Sequence, residues 1–119
     1  MAKTTIWISP ELKQKAEEKS KETGFLPGQI VTLALQQWNS DLWTPTYDPN
    51  GGHRNEKMFM TLGDEEFEGA LRKKAITGAN LSSVYRCALD MWVNDKWGLK
   101  LVLVPSYIDT NPYSMDEDW

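Results

Sequence analysis

KTTIWIS at residues 3–9 and KMFMTLG at residues 57–63 decide the fold of this chain. In each run the more apolar side chains fall on alternate positions: Thr4, Ile6 and Ile8 in the first, Met58, Met60 and Leu62 in the second. A period of two belongs to a strand with one buried face, which leaves Lys3, Thr5, Trp7, Lys57, Phe59 and Thr61 on the other face. One strand from each run predicts a two-stranded ribbon.

The two runs open equivalent stretches. Sliding the chain against itself by 54 residues aligns Lys3 to Trp43 with Lys57 to Trp97 without a gap, and eleven of the forty-one pairs are identical. They are Lys3/Lys57, Glu11/Glu65, Ala16/Ala70, Lys19/Lys73, Thr23/Thr77, Gly24/Gly78, Ala34/Ala88, Leu35/Leu89, Trp38/Trp92, Asp41/Asp95 and Trp43/Trp97. Chance gives about two or three such matches, so the chain reads as a tandem duplication. A unit of about fifty residues is marginal alone, so each copy must bury its apolar face against the other.

After each strand the pattern changes to helical. Ser9 is a good N-cap, followed by Pro10 at the first helical position and Glu11 near the positive end of the dipole. In the second copy Gly63 caps less well, but Asp64, Glu65 and Glu66 suit the same dipole. Thr23-Gly24 and Thr77-Gly78 end the first helices, since glycine accepts the left-handed conformation there. Second helices run through QIVTLALQQW and SVYRCALDMW, with Ile30, Val31, Ala34, Leu35 and Trp38 forming one stripe and Val84, Tyr85, Ala88, Leu89 and Trp92 the other. The first helices are weakly apolar: Leu12 and Ala16 in one, Phe67, Ala70, Leu71, Ala75 and Ile76 in the other. The predicted fold class is therefore mostly α with a two-stranded antiparallel ribbon (α+β), in the order β-α-α-linker-β-α-α. Residues 1–43 form the first repeat, 44–56 a Pro- and Gly-rich linker, 57–97 the second repeat and 98–119 a tail. GLKLVLVPSYI, the first half of the tail, could add a strand or pack an apolar face over the domain.

The formal charge of −4 is unevenly spread. Residues 1–43 carry five lysines against five acids, and residues 57–97 six basic against six acidic side chains. The excess lies mostly in the tail, where Lys100 faces Asp109, Asp116, Glu117 and Asp118. Lys13, Lys15, Lys19 and Lys21 alternate with acids and read as a solvated face; Arg72, Lys73 and Lys74 are the densest basic cluster. Cys87 and His53 are the only residues of their kinds, so neither a disulfide within the chain nor a zinc site is expected. No nucleophile stands at a recognisable spacing from His53 and there is no phosphate-cradling glycine loop, so no enzyme activity and no cofactor are expected. Apolar runs such as Leu101–Val104 are too short to cross a membrane, and a cytoplasmic location is expected. The four tryptophans Trp38, Trp43, Trp92 and Trp97 read as core or inter-copy packing, and Cys87 as a small core residue.

Strand, helix, glycine turn and helix within about forty residues, with IVTLAL in the second helix, resemble the ribbon-helix-helix fold of the Arc/MetJ/CopG repressors. The resemblance covers residues 3–43 and 57–97, and two fused copies look like a dimer made in one chain, as in the TraY proteins of conjugative plasmids. It implies sequence-specific binding of double-stranded DNA, the ribbon entering the major groove, in a transcriptional repressor or DNA accessory protein of phage, plasmid or bacterial origin. Base contacts would then fall to Lys3, Thr5, Trp7, Lys57, Phe59 and Thr61. Phosphate contacts would fall to the N-termini of the second helices, Gly28 and Gln29 in one copy and Asn80, Ser82 and Ser83 in the other. The second copy suits that role well, whereas in the first Pro27 has no amide proton, so its clamp should be the weaker and the site asymmetric. The chain would be a monomer with a pseudo-dimeric fold, with room for self-association on DNA.

A second class of function stays open beside it. Trp7 and Phe59 on the outer ribbon face would also suit a protein-interaction module, antitoxin-like or a phage-encoded inhibitor. The acidic tail, with Tyr113, Met115 and Trp119 as anchors, is a candidate partner-binding peptide or else an untethered solubilising end.

Overall fold

The computed structural model describes residues 2–49 and 56–96. It is a small α+β arrangement with one two-stranded antiparallel sheet and four helices, in the order β1 (Ala2–Ile8), α1 (Pro10–Thr23), α2 (Pro27–Asn39), β2 (Glu56–Leu62), α3 (Asp64–Thr77) and α4 (Leu81–Val93). The strands pair from Ala2 opposite Leu62 to Ile8 opposite Glu56. Alternation works as the sequence implies: Ile6, Ile8, Met58, Met60 and Leu62 are buried, Thr4 is half-buried, and the six residues between them are exposed. A two-stranded ribbon is marginal alone, so its apolar face must be covered, and α2 and α4 cover it.

Local chemistry sets the helix ends. The Ser9 hydroxyl accepts the Leu12 amide at 3.2 Å, and Pro10 needs no partner in the first turn. Gly24 and Gly78 close α1 and α3 at φ 83° and 75°, left-handed values that a side chain would oppose. Immediately before each, a threonine hydroxyl donates back to a carbonyl one turn earlier, Thr23 to Lys19 and Thr77 to Lys73, both at 2.8 Å. Gly63 caps α3 with no side-chain bond, leaving Asp64, Glu65 and Glu66 to favour its dipole.

The core lies between the inner ribbon face and the second helices: Ile30, Val31, Ala34, Leu35 and Trp38 from α2, Val84, Tyr85, Cys87, Ala88, Leu89 and Trp92 from α4. The first helices contribute only Leu12, Ala16 and Ala70 as fully buried apolar side chains. Each packs across the halves, α1 on α4 and α3 on α2, more closely than on its own sequence neighbour. Ion pairs cross in the same sense, Lys19 to Asp95 at 2.5 Å and Lys73 to Asp41 at 2.6 Å.

Of the apolar residues of α3, Ala70 is buried and Phe67 partly so, whereas Leu71, Ala75 and Ile76 face water, Ile76 at 85% exposure. The helix lies on the rim and only the stripe through Phe67 and Ala70 meets α2; side chains rotated away from it have nothing to pack on. The expectation that Lys19 lies on a solvated face needs correction, since it is tied to Asp95 in a crossed ion pair; in the second copy Lys73 is tied to Asp41 and also donates to the Trp38 carbonyl. Trp43 packs at the core margin. Trp97, His53 and the tail 98–119 lie outside the described residues. Among the described residues, no helix is long and apolar enough to cross a membrane.

Candidate nucleic-acid interface

The outer ribbon face brings the six sequence-chosen residues into three cross-strand pairs: Lys3 opposite Thr61, Thr5 opposite Phe59, and Trp7 opposite Lys57. All six are exposed, Trp7 at 50% and Phe59 at 76%. Lys57 Nζ sits 5.2 Å from the centre of the Trp7 ring, a cation–π contact that steadies both long side chains. The face therefore presents two ammonium donors, two hydroxyls and two aromatic rings on one pleated surface. Lysine donates to guanine acceptors, threonine donates or accepts, and aromatic rings can meet thymine methyls.

The first turns of the second helices flank this face. That of α2 lies against β2, where Gly28 is packed so tightly on Thr61 that an added methyl would drive into the Thr61 carbonyl oxygen. Gln29 stays exposed and turns its side-chain oxygen back to accept the Leu26 amide at 2.8 Å. Beside it, α1, the start of α2 and β2 enclose an open groove of ≈ 580 Å³ whose walls include Lys13, Lys21, Leu26, Lys57 and Phe59.

The flank at α4 is built differently. Asn80 Oδ1 accepts the Ser82 and Ser83 amides at 2.9 and 3.3 Å, so the side chain preceding the helix occupies two of its free donors. Ser83 Oγ donates to Asp48 Oδ2 at 2.7 Å. The same carboxylate accepts two bonds of 2.9 Å from Arg86, Nε to Oδ1 and Nη2 to Oδ2, while Arg86 Nη1 donates to the Trp7 carbonyl at 3.1 Å. Arg86 is 5% exposed, the one buried charged residue among those described.

Sequence reasoning did not find Arg86 or Asp48. The available signal was an arginine inside the apolar run VYRCAL, a position that burial forbids without a carboxylate partner. Which acid would serve was not legible, because Asp48 lies 38 residues earlier, in what reads as a loose linker.

The linker is anchored again next door, where Tyr47 Oη donates to Asp90 Oδ2 at 2.6 Å. Burial, followed by that bond, raises the Tyr47 phenol pKa. Burial likewise raises the Cys87 thiol pKa, leaving it a neutral packing group at neutral pH. Among the described residues, no group of three His, Cys, Asp or Glu side chains is placed to hold a metal ion. Comparison with family models, with curated proteins and with solved structures finds no match to this chain.

Proposed function

We propose that this chain is a single-chain ribbon-helix-helix protein that binds double-stranded DNA sequence-specifically, with its ribbon in the major groove, as a transcriptional repressor or DNA accessory protein. The observation that carries the reading is a coincidence of register. Thr5 and Phe59 are counterparts in the 54-residue repeat and also directly opposed across the ribbon. A two-fold axis between the copies would have to pass through that pair, as it passes through the middle of the ribbon in a symmetric dimer. Equal helix lengths, paired glycine caps and the crossed ion pairs point the same way.

The test is selection from a random duplex library at two salt concentrations. The expected result is an enriched site whose affinity falls steeply with salt, because lysine and amide contacts displace counterions. Lys3→Ala and Lys57→Ala weaken binding, whereas Thr5→Ala and Thr61→Ala change the preferred sequence. Absent or salt-insensitive binding to every duplex pool removes the reading.

Exposure of Phe59, Trp7 and Leu26 favours a second reading, a protein-interaction module of antitoxin or inhibitor type. Pull-downs from lysate that recover no stoichiometric partner, with and without residues 105–119, count against it.

A further inference from the structure

We propose that Asp48 is an internal stand-in for a DNA phosphate: the linker carboxylate occupies the anion seat on the α4 flank, so the chain grips the duplex backbone chiefly through the α2 flank. This deepens the duplex-binding reading and rests on it.

The seat consists of the Arg86 guanidinium and the Ser83 hydroxyl in the first turns of α4. Two parallel N–H donors of arginine meeting two oxygens is the geometry by which guanidinium groups take either a carboxylate or a phosphate. Asp48 fills it, and the neighbouring Tyr47–Asp90 bond holds the preceding residue of the linker beside α4. With Arg86 neutralised by Asp48, this flank offers an approaching backbone no uncompensated cation from the pair. The seat also adjoins the ribbon, since Arg86 bonds the carbonyl of Trp7, whose side chain is on the outer face.

The α2 flank has the reverse character. Thr32 stands where the repeat places Arg86, Gln29 where it places Ser83, and the Thr32 hydroxyl is used locally, donating to the Gly28 carbonyl at 2.7 Å and accepting the Gly63 amide at 3.1 Å. Instead of a seated carboxylate, this side has the groove lined by Lys13, Lys21 and Lys57 against the one acid Glu17, with Lys13 at 3.5 Å from Glu56. One flank is satisfied from within, and the other presents cations.

Ethylation interference on a duplex selected by the full chain tests the proposal. Interfering phosphates should cluster on one side of the central base pairs; a pattern equal on both sides overturns it. Asp48→Asn removes the charge and keeps the size. A freed seat gains one phosphate contact, raising affinity about tenfold at low salt and steepening the log–log salt slope by about 0.9.

Inorganic phosphate provides a probe independent of DNA. Titrated into the Asp48→Asn chain, it should shift the Ser83 amide and Arg86 Nε–H resonances saturably, and in the parent it should not. A folded Asp48→Asn chain with neither gain in affinity nor phosphate-dependent shifts overturns the proposal. Should Asp48→Asn fail to fold, the parent's interference pattern decides. Should the parent bind no duplex, the DNA reading falls, and the phosphate titration still decides whether the seat takes an anion.

Discussion

Helices α2 and α4 are counterparts in the repeat and share the same task of covering the ribbon, yet their first turns solve different problems. At α2, Gly28 allows the helix to lie directly on the β2 backbone, and the Thr32 hydroxyl, donating to the Gly28 carbonyl of its own helix, accepts the Gly63 amide just past the end of β2. At α4, a buried arginine reaches both the β1 backbone and a linker carboxylate. Four core positions are identical between copies, Ala16/Ala70, Ala34/Ala88, Leu35/Leu89 and Trp38/Trp92, while the positions beside the ribbon diverge. A shared core constrains volume in both halves, whereas each flank answers only to its own neighbours.

The comparison breaks most visibly at Arg86. Arg86→Ala removes both guanidinium bonds to Asp48, leaving its carboxylate without that cation, and takes away the Arg86 bond to the Trp7 carbonyl. Since Asp48 is partly exposed, the expected loss is about 3 kcal/mol, at the low end for a buried pair, whereas Thr32→Ala on the other flank costs about 1 kcal/mol. Urea denaturation of both variants measures the difference; equal losses would mean that the flanks are energetically alike.

Gly28→Ala comes next. A methyl group there meets strand backbone and not a movable side chain, so about 2 kcal/mol of stability should go, and the α2 end should lift from the ribbon. Thermal unfolding, together with amide exchange at Thr61, reports both effects.

Tyr85 marks a smaller difference within the core, because its counterpart is Val31. Its hydroxyl is buried and has no hydrogen-bond partner among the described residues, so Tyr85→Phe should stabilise by about 1 kcal/mol. Burial also pushes this phenol from 10.0 up to about 12. In the folded chain it stays neutral at pH values where the unfolded chain already ionises. Its contribution is thus complete below pH 10 and lost as pH rises from 10 towards 12. The parent should lose stability across that window more steeply than Tyr85→Phe, as denaturant midpoints at several pH values would reveal.

The smallest effect concerns the crossed ion pairs. Asp41 and Asp95 are largely exposed, so Lys19→Ala and Lys73→Ala should each cost on the order of 0.5 kcal/mol through the ion pair, Lys73→Ala slightly more because it also gives up the Trp38 carbonyl. Addition of salt should erase the shared part of that loss and leave the difference between the variants, which a thermal melt series would resolve.

Reading the chain alone recovered the strands, the helix limits at Ser9, Gly24 and Gly78, the apolar stripes of α2 and α4, and the outward set on the ribbon. All of these follow from periodicity or from capping, which are local. It did not say which of the apolar residues of α3 are covered, because apolarity says nothing about whether a rim helix has a neighbour on that side; Leu71 and Ile76 face water. It left the second-helix ends half described: Asn80 and Ser83 were recognisable as helix-start residues, but their commitments to the Ser82 and Ser83 amides and to Asp48 were not.

What the residues determined by themselves is therefore the alternation, the helix boundaries and which face of the ribbon is wet, since each depends on spacing along the chain of at most a few positions. Only the tertiary structure decided that α1 and α3 pack across the halves and that Lys19 reaches Asp95. It alone brought Asp48 to Arg86, across 38 residues of sequence. Burial leaves a charged group one tolerable arrangement, a partner within bonding distance, and which part of the chain supplies that partner is settled by how the pieces meet in space.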